Sequence, residues 1–596
     1  MAVMEDLMTG LNRLFGLSGL VLLMAASLVS CAVSGNRTSM QDVAGEQQLP
    51  PQATSAGPAG ATEEALLPEQ ILTDDLMFDI LLAEIAGQRG EMETSVPHYL
   101  QAAENAQDPR VAERAVQIAS FAKQFDIAER AARRWVELAP DDIEAHKALT
   151  ALALHIGDSD EAIAQLDYLI SISDDPEEGY RVATALLARE SDKDEAVVAM
   201  EKLVTHHPDN PHAWMALSRM AVNANKLEKG LDAVDRALAL SPDLPAACIL
   251  KAQILVRLER KVEATQVLET AVNTHPDNAM LHFAYGRMLL DSEDLDGARK
   301  QFGRVVELEP DNAEGLYSLA LLELETKQYA SGEKHLQQLL QLRPEEQNAY
   351  YYLGYSALEQ GDDKTALIWY KKIEGGDYWS QAQLRIAEIL VRQGEVEVMQ
   401  HHLRTLRRKN PDQSVTLYLV EGQVLTDAEM TEAAFALYGD ALQTSPDNED
   451  LLYAHSLAAE KLGKLDVAER DMRRILKNDP ENIRTLNALG YTLADRTNRY
   501  EEALTYIKKA YEQKPDDPAI IDSLGWVHYR LGNLDEARRL LQQAWDMTGN
   551  SEIGAHLGEV IWAQGDHEAA RRIWAVSLAA EPGNAMLLKV INQYDP

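Results

Sequence analysis

From about Ile71 onward the chain repeats one arrangement: apolar residues return every three or four positions with charged and small polar residues between them, the pattern of amphipathic helices. A slower rhythm overlies it. Ala128, Ala162, Ala196, Gly230, Ala264, Ala298, Gly332 and Ala366 stand 34 residues apart, and the series continues, drifting by about a residue, through Ala433, Ala468, Ala503, Ala537 and Ala570. Met399 is the large exception in this slot. Two antiparallel helices approach closely only where the crossing side chain is no bigger than a methyl, so the period marks successive helix pairs.

A second series keeps the same time. Pro208, Pro242, Pro276, Pro310 and Pro344 are also 34 apart, followed by Pro411, Pro446, Pro480, Pro515 and Pro582. Each lies just past an apolar helical stretch, where proline ends one helix and the Asp-Asn or Asp-Asp that often follows starts the next. Leu353-Gly354, Leu489-Gly490 and Leu524-Gly525 fill the matching slot of the first helix. Together these series predict about fifteen helix pairs between residues 75 and 582, then a short closing helix to Val590. The weak slots at Asp377 and Gly549, which lack proline, require no domain break.

The order apolar, Leu-Gly, aromatic, small, apolar, Ala, Pro over 34 positions resembles the tetratricopeptide repeat, best in Leu524-Gly525-Trp526 through Gly532-Asn533-Leu534-Asp535-Glu536-Ala537. The resemblance implies an all-α fold, a right-handed superhelical solenoid of about fifteen tetratricopeptide helix-turn-helix repeats, with roughly eight repeats per turn and therefore about two turns of superhelix. The expected divisions are a signal peptide over 1–30, an acylated cysteine and tether over 31–70, less regular helix pairs over 71–208, central repeats over 209–411, and C-terminal repeats with the closing helix over 412–596.

Composition fits helix packed on helix: 46% of residues are hydrophobic, only 6% are aromatic, and there are two cysteines. Lys and Arg number 56 against 96 Asp and Glu, a net charge of −40 that repels phosphate backbones and anionic lipid surfaces. Nucleic acid is therefore excluded as an expected partner. The charge itself reads either as a self-repelling solvated surface or as the complement of a partner with a basic face.

The N-terminus carries an address. Arg13 precedes the apolar run Leu14 to Val29, interrupted by Gly16, Ser18 and Gly19 and ending in Leu28-Val29-Ser30-Cys31. That run is too short for a stop-transfer helix, and Glu5 and Asp6 sit poorly in a positive n-region, so Met8 is an alternative start to Met1 or Met4. The tetrad resembles a lipobox, which implies lipidation at Cys31; an ordinary signal peptide with a chance cysteine is the other reading. Multiple acyl chains at one residue would anchor the protein firmly to a membrane, and Ala32, in place of the aspartate that often marks inner-membrane retention among bacterial lipoproteins, favours the outer membrane facing the periplasm. Residues 32–70 are rich in Gly, Ala, Pro, Ser, Thr, Gln and Glu and lack helical periodicity, so they read as a tether spanning on the order of 35 Å. Cys248, left without a partner, reads as a packing residue among Ala246, Ala247, Ile249 and Leu250, with a reactive thiol as the alternative.

Catalytic motifs do not occur: there is no Gly-x-Ser-x-Gly elbow, no His-Glu-x-x-His and no phosphate-cradling Gly-Lys-Ser or Gly-Lys-Thr loop. His206-His207 near His212 and His401-His402 are the histidine clusters; neighbours on a helix point about 100° apart, so they read as surface histidines and not as a metal site. No catalytic residue, metal ligand or cofactor is expected, and Asn36-Arg37-Thr38 reads as a chance glycosylation sequon. In the tetratricopeptide family the fifth and ninth positions of the first helix face inward, which implies a partner-binding row at Met215, Ile249, Phe283, Tyr317 and Tyr351, each 34 apart, then Leu384, Tyr418 and Tyr453 in looser phase. Tyr355, Tyr491, Trp526 and Tyr529 are further candidates, tyrosine and tryptophan offering large contact area at low entropy cost. Packing against the neighbouring helix is the alternative role for these positions.

Leu81 through Gly90, Asp108 through Ala115 and Arg134 through Pro140, with the lipobox, are similar to the LbcA family of tetratricopeptide outer-membrane lipoproteins. That family implies an adaptor: it binds a periplasmic carboxyl-terminal processing protease, promotes its activity and brings it substrates such as peptidoglycan cross-link hydrolases. No binding residue carries over, since the resemblance supplies no motif to map. A structural lipoprotein of an outer-membrane export or assembly machine is the competing expectation.

Overall fold

The computed structural model describes residues 72–188 and 192–594. Cys31, the signal peptide, Asn36 and the tether lie outside the described residues. Among those described, thirty-one α-helices and no strand follow one another, making fifteen pairs from Asp74–Gln88 with Met92–Asn105 to Ser551–Ala563 with His567–Ala580, then the closing helix Ala585–Tyr594. The chain divides into two compact units, Met1–Gln338 and Leu339–Pro596. Within each, a first helix packs on its own second helix and then on the next pair, so the core is a string of neighbouring clusters and not one centre.

Each pair starts from local chemistry. Asp108, Asp142, Asn210, Asn278, Asn312, Asn448 and Asp517 cap first helices by accepting a backbone N–H two or three residues on, each contributing about 1 kcal/mol. Pro109, Pro211 and Pro518 occupy the first turn, where their missing N–H costs nothing. In most of the described pairs the turn between the two helices takes one left-handed residue: Gly157, Gly361 and Gly463 in some, but Lys123, Asn225, Glu259, Glu293, Lys327 and Glu429 in others.

The small-residue slot lies where the pairs cross. Ala128, Ala162, Ala264, Ala298 and Ala366 are fully buried. In the first pair the slot belongs to Ser95, also fully buried, whose hydroxyl donates to the Ala83 carbonyl (2.7 Å) and so hides its polarity in the facing helix. One phase needs correction: Ala434, and not Ala433, is the buried occupant, because Tyr438 and Ala441 follow it at the four- and seven-residue spacing that puts all three on the core face. A complementary small-to-large contact sits four residues beyond the slot. Phe302, Tyr370, Tyr438 and Trp574 fill the space left by Gly286, Gly354, Gly422 and Gly558 of the facing first helix. A Cβ on Gly354 would lie 2.6 Å from the Tyr370 ring.

The turns between pairs are fastened at the carbonyl of the helix-ending proline. His146 Nε2 donates to the Pro140 carbonyl (2.8 Å), Trp214 Nε1 to Pro208 (2.8 Å), His282 Nε2 to Pro276 (3.0 Å) and Tyr350 to Pro344 (2.8 Å). These donors stand 68 residues apart, every second repeat, a super-period hidden in the sequence because three side-chain types carry it. Second helices reach some of the same carbonyls, Tyr168 donating to Pro140 (2.7 Å) and Arg304 to Pro276 (3.3 Å), and Gln338 donates to the Pro310 carbonyl of an intervening repeat (2.7 Å). An otherwise unpaired helix-end acceptor is thereby satisfied.

Two consequences are measurable. Gly354→Ala is expected to lose about 1–3 kcal/mol in urea unfolding through the clash with Tyr370, and pairing it with Tyr370→Leu is expected to restore part of the loss. Glu259→Gly, which removes the left-handed penalty of roughly 1–2 kcal/mol, is expected to raise stability in the same assay.

Candidate functional site

The expected inner-face residues fall into two groups. Met215, Tyr317, Tyr351 and Trp526 are 2%, 6%, 8% and 5% exposed, buried by the chain's own packing. Ile249, Phe283, Tyr355, Tyr418, Tyr453, Tyr491 and Tyr529 are half-buried and keep part of their surface open. Phe283 leans on Phe302 (5.4 Å), and Tyr351 stacks on Tyr378 (4.4 Å, 18°), which itself shares a hydroxyl contact with Tyr352 (2.9 Å). Tyr418 and Tyr453 each carry a guanidinium on their ring face at 4.1 Å, from Arg407 and Arg484. Arg407 also pairs with Glu421 at 2.6 Å in a nearly dry site, where burial pushes the Glu421 carboxyl up against the opposing pull of the guanidinium.

The densest arrangement spans the first helices Ile483–Arg496, Pro518–Arg530 and Ser551–Ala563 and the closing helix. It joins Tyr491, Trp526 and Tyr529 to residues the sequence reading passed over: Asp522, His556, Glu559 and Tyr594. His556 Nδ1 lies 2.9 Å from Asp522 Oδ1, its ring stacks on Trp526 (4.2 Å, 27°), and the Tyr491 hydroxyl stands 3.4 Å from its Nε2. Trp526 also meets Tyr529 (5.2 Å), while Arg530 donates to the Asp495 carbonyl (3.3 Å) and the Tyr500 hydroxyl (3.0 Å). Tyr594 donates to Glu559 (3.2 Å). One signal for this cluster was available: Asp522 and His556 stand 34 residues apart, an acid and a histidine at one register of adjacent repeats.

Electrostatics there follow from burial. Desolvation disfavours a charged His556, but Asp522, Glu559 and Asp495 outweigh it and hold the imidazole above its ordinary pKa. Burial pushes Glu559 up. The Tyr491 hydroxyl is pushed far above its usual range by burial and by the surrounding carboxylates. The Asp522–His556 hydrogen bond and the stacked Trp526 ring together fix the imidazole's orientation on the first-helix face.

Elsewhere the histidines divide. His206 and His207 both contact Asp167, His207 at 3.2 Å, whereas His402 is half-buried against Gln383 (2.9 Å) and burial lowers its pKa, so it is not a surface histidine. Among the described residues no group of three or more His, Cys, Asp or Glu is placed to hold a metal ion, and no helix is long and apolar enough to cross a membrane. Cys248 is half-buried beside Leu238, Lys251, Leu255 and Val267 at a cavity of about 400 Å³, and burial raises its thiol pKa, which favours the unreactive form.

With this geometry in view, models of the tetratricopeptide repeat match residues 183–245, 249–313, 289–334, 317–382 and 453–518, and a second such model matches 496–553. The TPR repeat-containing protein PA4667 of Pseudomonas aeruginosa is 42% identical over 206 residues, 35% of this chain and 35% of that protein, so the match spans about a third of the relative's length. Among solved structures, TTC0263, a thermophilic TPR protein of Thermus thermophilus, is 24% identical over 30% of this chain and 95% of its own, with a TM-score of 0.27. The APC/C hetero-tetramer Cut9–Hcn1 covers 88% of this chain and 97% of the matched chain at 12% identity, with a TM-score of 0.32.

The raised His556 pKa has a signed consequence. Stability from a protonated His556 is fully present below the unfolded-state pKa of about 6.5 and is lost as pH rises through the higher folded value. Glu559, also raised, adds a loss of the same sign from about pH 4.3 upward. Thermal melting of the C-terminal repeats is expected to fall as pH rises above about 6.5, and His556→Gln is expected to flatten that decline.

Proposed function

Because the chain belongs to the tetratricopeptide-repeat family, we propose that it is a non-enzymatic scaffold of the periplasm, lipid-anchored to the outer membrane at Cys31, that binds a carboxyl-terminal processing protease and promotes its activity. On this reading it also delivers substrates such as peptidoglycan cross-link hydrolases for degradation. The observation that carries the scaffold part is the recurrence, within each unit, of half-buried rings and apolar side chains on consecutive first helices: Ile249 and Phe283 in Met1–Gln338, and Tyr418, Tyr453 and Tyr491 in Leu339–Pro596. Such a row offers contact area at low entropy cost over many repeats. The choice of protease and hydrolase is supported by the likeness of Leu81 through Gly90, Asp108 through Ala115 and Arg134 through Pro140 to the LbcA family.

A long array suits the role physically. Holding enzyme and substrate on one chain replaces a bimolecular encounter with an effective concentration that reaches the millimolar range. A tether between lipid and array leaves the repeats free to meet soluble partners away from the membrane surface.

In a reconstituted mixture of this protein, a carboxyl-terminal processing protease and a cell-wall cross-link hydrolase, degradation of the hydrolase is expected to run at least about tenfold faster than without the scaffold, the gain that effective concentration readily supplies. An unchanged rate contradicts the adaptor reading. So does affinity purification that yields outer-membrane barrel or export proteins and no protease, the outcome expected of an assembly-machine component.

A further inference from the structure

The chain carries a net charge of −40, yet between Lys364 and Lys409 nine Lys and Arg stand against five Asp and Glu, a local surplus of four. The surplus is displayed on two successive second helices of the unit Leu339–Pro596, Asp363–Tyr370 and Val396–Lys409. Lys364, Ile368 and Lys371, spaced by four and three residues, are all exposed on and just past the first of these. Val398, His401, Arg404 and Arg408, spaced by three, three and four, are all exposed on the second. Ile368 and Val398 are 58% and 51% exposed, so each row sets a bare apolar side chain among cations. The two rows adjoin: after burial, the larger cause, the charge of Lys371 helps hold the His402 imidazole below its ordinary pKa.

The fold does not use these cations. Among the described residues the side chains of Lys364, Lys371, Arg404, Arg408 and Lys409 make no hydrogen bond or ion pair, whereas Arg385, Arg392 and Arg407 nearby pair with Glu388, Asp363 and Glu421. Glu397 shares the exposed arc of Val396–Lys409 and is outnumbered there. Complementing helix ends does not account for the pattern either. Lys364 stands in a first turn, where the helix dipole opposes a cation. Arg407, Arg408 and Lys409 crowd one last turn, while every other described second helix carries at most one basic residue in that place.

We propose that this part of the second-helix layer is a membrane-surface contact, in which Lys364, Lys371, Arg404 and Arg408 meet the phosphates of anionic phospholipids and Ile368 and Val398 enter the headgroup boundary. The proposal rests on the lipid-anchored reading, which brings phospholipid within reach. In this unit the first helices pack on one another, Trp379–Arg392 on Ser414–Asp427 and that on Glu449–Lys461, so the second helices form the outer layer. An outer ridge of cations around exposed apolar side chains suits a plane of phosphates above acyl chains, whereas an extended peptide needs a groove or a sheet edge. The net charge of −40 does not forbid the contact, because at physiological ionic strength charges beyond about 8 Å are largely screened. It restricts the contact to this patch, which turns the first-helix face of these repeats away from the lipid and leaves it to partners. A weak basic contact also supplies the second signal that makes acyl anchoring firm.

The test is co-sedimentation of the full chain carrying Cys31→Ser, and so without acyl groups, with vesicles of phosphatidylcholine alone or of equal parts phosphatidylcholine and phosphatidylglycerol. Binding is expected to the phosphatidylglycerol vesicles only, and to weaken as salt is raised. Each Lys or Arg at an anionic lipid surface tightens binding roughly fivefold, so Arg404→Gln with Arg408→Gln is expected to weaken it at least about tenfold. Arg404→Lys with Arg408→Lys is expected to retain binding, and Arg236→Gln, at an exposed arginine of the other unit, to leave it unchanged. These exposed side chains hold no contact, so all three variants are expected to melt with the parent chain. Equal binding to both vesicles, binding to neither, an undiminished affinity in the Arg404→Gln, Arg408→Gln chain, or an equal loss in Arg236→Gln overturns the proposal. Soluble polyglutamate captured through Arg404 and Arg408 while the vesicles are not would assign the patch to an acidic protein instead. The assay contains neither acyl chain nor protease, so its failure leaves the anchor and adaptor readings standing, and the failure of the degradation assay leaves this result intact.

Discussion

The helix crossing that admits nothing larger than a methyl governs this molecule. Ala128, Ala162, Ala264, Ala298 and Ala366 set the distance between paired helices, and that distance lets large partners such as Tyr370 and Trp574 seat against Gly354 and Gly558. Once each pair is locked, its remaining apolar stripe has nowhere to go except onto the next pair, which is why the core propagates along the chain instead of closing on itself. Fastening of the turns through proline carbonyls then fixes how each pair follows the last within a unit.

That constraint explains what was legible in the sequence. A slot filled by Ala or Gly every 34 residues is a one-letter signal, so the number of pairs and the closing helix were readable without structure. The phase failed only where two alanines adjoin, Ala433 and Ala434, since either satisfies the size rule and only the Tyr438 and Ala441 spacing separates them. Ser95 was hidden because a hydroxyl in a core slot needs its acceptor, the Ala83 carbonyl, to be known. The 68-residue alternation of His146, Trp214, His282 and Tyr350 escaped because the shared property is a reach to one carbonyl and not a residue type.

The candidate surfaces were legible in part for a related reason. Register identified which positions line the first-helix face, but register cannot separate a ring that is consumed by packing, such as Tyr351 against Tyr378, from one that keeps open surface, such as Tyr491. Polar members were missed outright. In a chain with 96 acidic residues, Asp522 does not stand out until His556 is seen to lie 2.9 Å away beneath Trp526.

The central claim is that successive first helices form the partner-bearing face. Hydrogen–deuterium exchange of the full chain, with and without a carboxyl-terminal processing protease, tests it most directly. The account predicts protection on first helices such as Pro245–Arg257 and Pro518–Arg530 and little change on the second helices Lys261–Thr274 and Leu534–Thr548. Protection confined to second helices, or no change on any helix at saturating protease, would contradict it.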